Sequence, residues 1–272
     1  MPYGKWWDRI KDQLILNQVN PDNFITNYAY EDNAIGKYRY AHISDIVRLE
    51  MLDAFGGIYA DMDTLFINPL PSWFFSKRYI MGKEKVDYNQ EAGKAADGSL
   101  CNAWIASAPG AEFNKIWLNR IRDEFDGTWS AHSTFLPFKL SQQHPELIHT
   151  EPEDSFYSLD WTKKGVKNIF ENYVELGQSN YSLHLWSHLW WSKERIDYTT
   201  FHAGKITENY VRFAQTTFST IARKFLPPEC RGNRWVYSIQ SKFGTIDRYI
   251  ILIRNNISRK WLFDKKRLTA KH

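Results

Sequence analysis

Two aspartates one residue apart are the residues of this chain with the clearest capacity for chemistry. Asp61 and Asp63 come directly after a short apolar run, Ile58-Tyr59-Ala60, which predicts a strand. Carboxylates at a strand end supply hard oxygen ligands, and these suit Mg²⁺ or Mn²⁺ better than zinc. Such an ion could neutralise the charge that develops on a departing diphosphate. Aspartate is also common in turns, so the pair by itself is weak evidence for a site.

The residues before this turn predict a helix that ends at a double glycine. Apolar side chains recur there at roughly helical spacing and predict one buried face, made of Ile43, Ile46, Val47, Met51 and Phe55. Asp45 and Arg48 are three positions apart, so a helix places them side by side. Gly56-Gly57 then ends the helix, because glycine readily takes the left-handed conformation of a helix end. We expect the helix, the strand and the Asp-x-Asp turn to form one unit.

The whole stretch, SDIVRLEMLDAFGGIYADMDTLFINPL from Ser44 to Leu70, resembles the sugar-nucleotide-binding region with a DXD motif of family 32 glycosyltransferases. That family includes α-1,6-mannosyltransferase-like and α-1,4-galactosyltransferase-like enzymes and bacterial capsule transferases. The resemblance implies an α/β, GT-A-like fold, which is a Rossmann-like nucleotide-sugar fold. It also implies a Mn²⁺ or Mg²⁺ cofactor and a nucleotide-sugar donor, with a UDP-hexose as the expected donor.

The resemblance also implies a role for each motif residue. Asp63 is expected to bind the ion directly, and Asp61 to contact the donor ribose and the water around the ion. Asp45 and Arg48 are expected to hold hydroxyls of the donor sugar, and Tyr59 to pack against the donor. Catalysis would then rest on positioning and on neutralising the leaving group. Front-face attack with retention of configuration is a hypothesis on this basis.

A later stretch, Tyr181-Ser-Leu-His-Leu-Trp, resembles the His-x-Trp element of the same family. His184 would be a third metal ligand or touch the diphosphate, and Trp186 would line the donor pocket. An aromatic-rich core strand is the alternative for both residues. Weaker candidates for the phosphate end are His188 and the His202–Lys205 tetrapeptide. Three other histidines match no compact metal template and are expected to be structural or solvated, namely His132, His144 and His149.

Length and pattern predict two regions. Residues 1–206 are expected to form the GT-A-like domain, although its usual first nucleotide-binding strand is not recognisable near the N-terminus. Residues 207–272 are expected to form a basic helical C-terminal extension. A basic amphipathic helix can lie on an anionic bilayer, but a packed terminal helix with a solvated face is the simpler interpretation.

Composition limits the classes of partner and location. The 272 residues carry a net charge of +4, which is too small to indicate nucleic-acid binding. Aromatic residues make up 16% of the chain, which is compatible with stacking on sugars. Two cysteines give no disulfide framework, and no apolar run reaches the length of a membrane span. A cytoplasmic protein is expected, with peripheral membrane contact through the basic C-terminal helix as the alternative to a packed helix.

The family resemblance implies a metal-dependent, retaining glycosyltransferase that moves a hexose from a nucleotide sugar to a glycan or lipid-linked glycan, as in surface polysaccharide synthesis. Two alternatives remain. Asp61-Met-Asp63-Thr64 also fits the Asp-x-Asp-x-Thr signature of haloacid-dehalogenase-like phosphatases, with Asp61 as nucleophile, but the downstream acidic pair of that family is not found. The chain could also bind a sugar nucleotide or a glycan without turnover.

Overall fold

A computed structural model of the chain describes residues 5–20, 39–89, 91–190 and 206–242. The α-helices of these ranges are α1 (Lys5–Ile10), α2 (Arg39–Phe55), α3 (Glu91–Lys94), α4 (Glu112–Glu124), α5 (Leu136–Gln143), α6 (Glu153–Phe156), α7 (Lys163–Phe170), α8 (Ser187–Trp190), α9 (Glu208–Phe213) and α10 (Thr217–Ala222). Residues 234–242 are also helical. Short 3₁₀ helices span Lys11–Gln13, Ser72–Ser76 and Arg223–Phe225, and a π-helical turn spans Ala131–Phe135.

The strands of the described ranges are β1 (Gly57–Ala60), β2 (Thr64–Phe66), β3 (Tyr79–Lys83), β4 (Leu100–Ser107), β5 (His149–Glu151) and β6 (Ser182–His184). Within those ranges they form a four-stranded sheet in the order β1-β4-β3-β5 and a two-stranded sheet of β2 and β6. Among the strand pairs of the described residues, β3–β5 is parallel and the others are antiparallel. The combination of helices with a mixed sheet confirms the α/β class predicted from the sequence.

Hydrophobic cores cover both faces of the larger sheet. Side chains alternate between the faces of a strand, so Ile80 points into one core while Tyr79 and Met81 point into the other. In the first core the rings of Trp104 and Phe156 stack, with their centroids 4.0 Å apart. The sheet is therefore held from both sides, and the ends of its strands are fixed in position.

Helix α2 carries a polar cluster that the apolar pattern did not predict. Ile43 and Ile46 are buried as expected, but Phe55 is 75% exposed and does not belong to the buried face. Asp45 and Arg48 are buried instead, at 8% and 6% exposure. The predicted face is thus wrong at its C-terminal end. The burial of Asp45 and Arg48 is stabilised by hydrogen bonds to Asn102 on β4 and to His132 in the π-helical turn.

The double glycine ends α2 through two residues in the left-handed region, with φ of 64° at Gly56 and 99° at Gly57. At Gly56 an added Cβ would lie 2.6 Å from Pro109 Cδ and 2.7 Å from Pro109 N. At Gly57 an added Cβ would meet nothing within 4 Å. The close approach of Pro109 therefore requires glycine at the first position, whereas only the backbone conformation favours it at the second.

Gly56→Ala should destabilise the protein more than Gly57→Ala. Both changes carry the left-handed strain of about 1–2 kcal/mol, and the first adds a clash costing a further 1–3 kcal/mol or so. Urea unfolding of the two variants beside the wild type measures the difference. Equal losses of unfolding free energy would contradict the contact with Pro109.

The described C-terminal residues pack on the first core. Val211, Phe218 and Ile221 are buried in that core, and the ring centroid of Phe218 lies 5.3 Å from that of Phe170 on α7. Within the described residues, no helix is both long enough and apolar enough to cross a membrane. Much of the predicted basic extension, residues 243–272, lies outside the described part of the chain, as do residues 21–38 and the His202–Lys205 candidate. The predicted boundary at residue 206 stays a prediction.

Candidate functional site

Two antiparallel pairings bring the aspartates and a histidine together. Strand β1 pairs with β4, and the backbone N–H of Asp61 continues that ladder by donating to Ala103 O at 2.8 Å. The chain then turns, with Thr64 N–H donating to Asp61 O at 3.0 Å. Strand β2 follows at once and pairs with β6 so that Thr64 lies opposite His184. The register of this second pair places the imidazole beside the Asp-x-Asp turn.

The three side chains can converge on one cation. One ligand atom from each of Asp61, Asp63 and His184 lies within 4.8 Å of the other two. His184 Nε2 is 3.3 Å from Asp63 Oδ1 and 3.5 Å from Asp61 Oδ2. His184 is buried, and neither of its ring nitrogens makes a hydrogen bond of normal geometry with any residue that the structure describes.

His184 thus faces both carboxylates without a well-formed hydrogen bond, and a cation held by the carboxylates could take the place of its proton. Two carboxylate oxygens and one imidazole nitrogen also form a donor set that suits Mn²⁺. The residues therefore fit the expected metal ion. When bound, such an ion would supply charge neutralisation for a departing diphosphate.

The electrostatics of the cluster favour a cation. Burial alone would lower the pKa of His184, but the carboxylates of Asp61 and Asp63 raise it to about 9. Burial alone would raise the pKa of Asp63, but His184 and Ser187 hold it well below its usual range. The local potential is thus negative, and a proton or a metal ion is attracted to the same place.

Ser187 fixes the orientation of the Asp63 carboxylate. Its backbone N–H and its hydroxyl both donate to Asp63 Oδ2, at 2.8 and 2.6 Å. The other oxygen, Oδ1, is the one that faces His184. Two bonds on one oxygen therefore leave the second oxygen free for an ion. Hydrogen bonds of this kind to a ligating carboxylate orient it toward the metal.

Ser187→Ala should lower the affinity for Mn²⁺ by about 10–100-fold, because the hydroxyl no longer holds the carboxylate. The backbone N–H bond remains, so the fold should be preserved. Isothermal titration of the protein with Mn²⁺ measures the change, and Ser179→Ala, at an exposed serine, is the matched control. Equal Mn²⁺ affinity in the two variants would show that the hydroxyl does not act on the site.

Beneath the turn lies a buried charged network centred on Arg48. Its Nη1 donates to Asn102 O at 2.7 Å, and its Nη2 lies 3.1 Å from Asp45 Oδ1. Asn102 Nδ2 donates to the same Asp45 oxygen at 2.7 Å. Nη1 is also 3.5 Å from Asp61 Oδ1. The predicted neighbours Asp45 and Arg48 are therefore together, and the network reaches one aspartate of the turn.

Tyr59 links this network to the turn. Its hydroxyl donates to Asp61 Oδ1 at 2.6 Å, and the Arg48 guanidinium lies 4.4 Å from its ring centroid. The hydroxyl bond restrains Asp61, and the ring covers one face of the guanidinium. The predicted packing of Tyr59 against a donor stays a prediction.

The ring of Trp186 packs edge-to-face against the imidazole of His184. Trp186 is 4% exposed, its ring centroid is 4.2 Å from that of His184, and its Nε1 donates to Leu159 O at 2.8 Å. Its φ of 51° is unusual for a large side chain and is held by this packing. The predicted contact of Trp186 with a donor stays a prediction. The side chain of the weaker candidate His188 lies outside what the structure describes.

The sequence analysis did not identify three residues that contribute to the site. Asn102 belongs to none of the motifs singled out in the sequence, and Ser187 follows the His-x-Trp element without a motif of its own. His132 was expected to be structural or solvated, yet its Nε2 lies 3.0 Å from Asp45 Oδ2. Eighty-seven positions separate those two residues, so no local spacing could have paired them.

Comparison with known proteins finds a family match in the N-terminal part of the chain. Residues 3–80 match the family described as the glycosyltransferase sugar-binding region containing a DXD motif. That range contains α2, β1 and the Asp61–Asp63 turn. The matches support a glycosyltransferase that is similar, over residues 3–80, to the DXD family. The resemblance inferred from the sequence is thereby confirmed, and the match favours a transferase over the phosphatase alternative.

Relatives with curated descriptions agree with this assignment. Glucan organizing enzyme 1 of Cryptococcus neoformans var. grubii is 26% identical over 231 residues, covering 84% of this chain and 58% of that protein. Glycosyltransferase afumC of Aspergillus fumigatus is 25% identical over 154 residues, covering 53% of this chain and 37% of that protein. The solved PaToxG glycosyltransferase has 20% identity and a TM-score of 0.29, over 52% of this chain and 46% of that chain. The chain thus spans about half the length of the curated relatives.

Proposed function

We propose that this glycosyltransferase uses Mn²⁺ or Mg²⁺ to transfer a hexose from a nucleotide sugar, with a UDP-hexose as the donor, and that configuration is retained. The observation that carries the proposal is the grouping of Asp61, Asp63 and the buried His184, with one ligand atom from each lying within 4.8 Å of the others. Asp63 Oδ1 and His184 Nε2 would hold the ion, and Asp61, restrained by Tyr59, would stand between the ion and the donor ribose.

The charged network supplies the second part of the proposal. Arg48 lies next to Asp61 on the side away from His184 and carries a fixed positive charge close to the turn. Asp45 and Arg48 would meet the sugar hydroxyls of the donor, as the family resemblance implies. Rate enhancement would come from positioning and from stabilising the charge of the leaving diphosphate. A glycan or lipid-linked glycan is proposed as the acceptor, with polysaccharide synthesis as the process.

The proposed location and membrane contact rest on the sequence alone. A cytoplasmic location is proposed from the sequence pattern, and the proposed peripheral contact involves basic residues beyond residue 242. The name of the Cryptococcus relative refers to glucan, which is compatible with a glycan acceptor.

A screen of UDP- and GDP-sugars, with Mn²⁺ or with EDTA, tests the proposal. A donor at 100 times its dissociation constant should stabilise the fold by about 2.7 kcal/mol, and it should do so only with the ion. Slow release of UDP from the same donor would identify the sugar. Binding without release would favour a non-catalytic protein, and neither binding nor release would reject the proposal. Asp123→Asn, at an exposed aspartate, is a control for later aspartate variants.

A further inference from the structure

His132 is buried in contact with Asp45 and has no role in the reaction proposed above. It belongs to the π-helical turn Ala131–Phe135 and is 0% exposed. Its Nε2 lies 3.0 Å from Asp45 Oδ2. The other oxygen of that carboxylate is held by Arg48 and Asn102. His132 therefore holds the second oxygen, Oδ2, and thereby the plane of the Asp45 carboxylate.

The position of the His132 ring is set by elements other than Asp45. Trp117 Nε1 donates to the backbone carbonyl of His132 at 2.9 Å, which anchors the turn to α4. The rings of Phe125 and His42 pack on the imidazole, each with its centroid 4.9 Å away. Because packing and the backbone hold the imidazole, it can serve as a fixed donor toward the carboxylate.

Arg48 connects Asp45 to Asp61 in the proposed donor site. Arg48 Nη2 lies against Asp45 Oδ1, and Arg48 Nη1 lies 3.5 Å from Asp61 Oδ1. A rotation of the Asp45 carboxylate would move the guanidinium and weaken its approach to Asp61. Low solvent access at Asp45 and Arg48 prevents water from replacing the lost partner easily.

We propose that His132 is a positioning residue for donor binding, which fixes the Asp45 carboxylate and thereby the Arg48 guanidinium beside Asp61. This inference rests on the proposed function, because it assigns the network to the donor. A positioning role and a purely structural role predict different effects of substituting His132. A residue that keeps a donor at the position of Nε2 should preserve the site, and one that only fills the volume should not.

Three substitutions separate these roles. His132→Gln places an amide nitrogen near the position of Nε2, His132→Asn is polar but too short, and His132→Phe fills the space without a donor. His144→Gln, at a partly exposed histidine, is the matched control. The readouts are KM and kcat for UDP release, the Mn²⁺ affinity, and hydrogen-exchange protection of the Arg48 Nε–H, which donates to Ser44 O at 3.1 Å.

For His132→Phe and His132→Asn we expect KM for the donor to rise by about 10–100-fold, the range typical of removing a supporting hydrogen bond. Mn²⁺ affinity should change little, and Arg48 Nε–H protection should fall. His132→Gln should keep both KM and protection near those of the wild type. Equal KM losses in the Gln, Asn and Phe variants, or Arg48 protection unchanged in the Phe and Asn variants, would overturn the inference.

Failure of this inference and failure of the proposed function can be told apart. If the wild type binds and cleaves no donor, the proposed function fails, while Arg48 protection still reports whether His132 positions the guanidinium. If His132→Phe does not fold, the comparison of the Gln and Asn variants decides, because both are polar and differ in reach. Equal protection of Arg48 in these two variants would then reject the inference.

Discussion

Asp63→Asn is expected to reduce donor cleavage by at least about 100-fold, the scale on which one electrostatic contact to a developing charge acts. The change removes the negative charge that faces His184 but keeps an oxygen that can accept the two hydrogen bonds from Ser187. The turn should therefore stay in place while the ion is bound weakly. Release of UDP from the donor and titration with Mn²⁺ are the two measurements.

Asp123→Asn is the control for that experiment, because it removes the same charge from an exposed position on α4. It should leave both the Mn²⁺ affinity and UDP release at the level of the wild type. If Asp63→Asn behaved like this control, the assignment of the Asp-x-Asp turn as the metal site would be wrong. An unchanged thermal unfolding temperature in Asp63→Asn would show that its loss of activity is local.

Arg48→Leu should lower the free energy of unfolding by about 3–5 kcal/mol, because removing one member of a buried ion pair leaves the other charge uncompensated. Asp45 is 8% exposed and would lose its main positive partner. Arg48 also donates to Ser44 O and Asn102 O, and these carbonyls would lose a partner as well. Urea unfolding at neutral pH measures the effect.

The matched test of the ion pair is the double variant Asp45→Asn/Arg48→Leu. Removing the buried negative charge should recover part of the stability lost in Arg48→Leu, so the two changes should not add. Strictly additive losses would show that Arg48 stabilises the fold through its carbonyl contacts and not through Asp45. Neither variant is expected to cleave the donor, so stability is the only readout here.

Local sequence patterns predicted much of the site. The double glycine, the short strand and the Asp-x-Asp turn occur in the structure as the order of residues indicated, because each depends on conformational preferences of neighbouring residues. The spacing of Asp45 and Arg48 likewise placed them together on one helix. These features are decided within a few positions of the chain, where helical period and glycine conformation act.

The pattern predicted less well which side of α2 is buried. Apolar spacing suggested that Phe55 lies inside and gave no reason to bury Arg48, yet the structure has the reverse. Hydrogen bonds to Asn102 and to Ser44 make burial of the guanidinium tolerable. Such compensation depends on residues from another strand, so hydrophobic periodicity alone does not report it.

By itself, the sequence determined the residue types and local geometry of the turn, and through a family resemblance it singled out His184 as a third ligand. Only the tertiary structure decided that the β2–β6 register places the Nε2 of this imidazole 3.3 Å from Asp63 Oδ1. It also decided that Ser187 orients Asp63 and that His132 reaches Asp45. The physical reason is that strand register and helix packing join residues far apart in the chain, and these contacts are set by the burial of the whole core and not by local spacing.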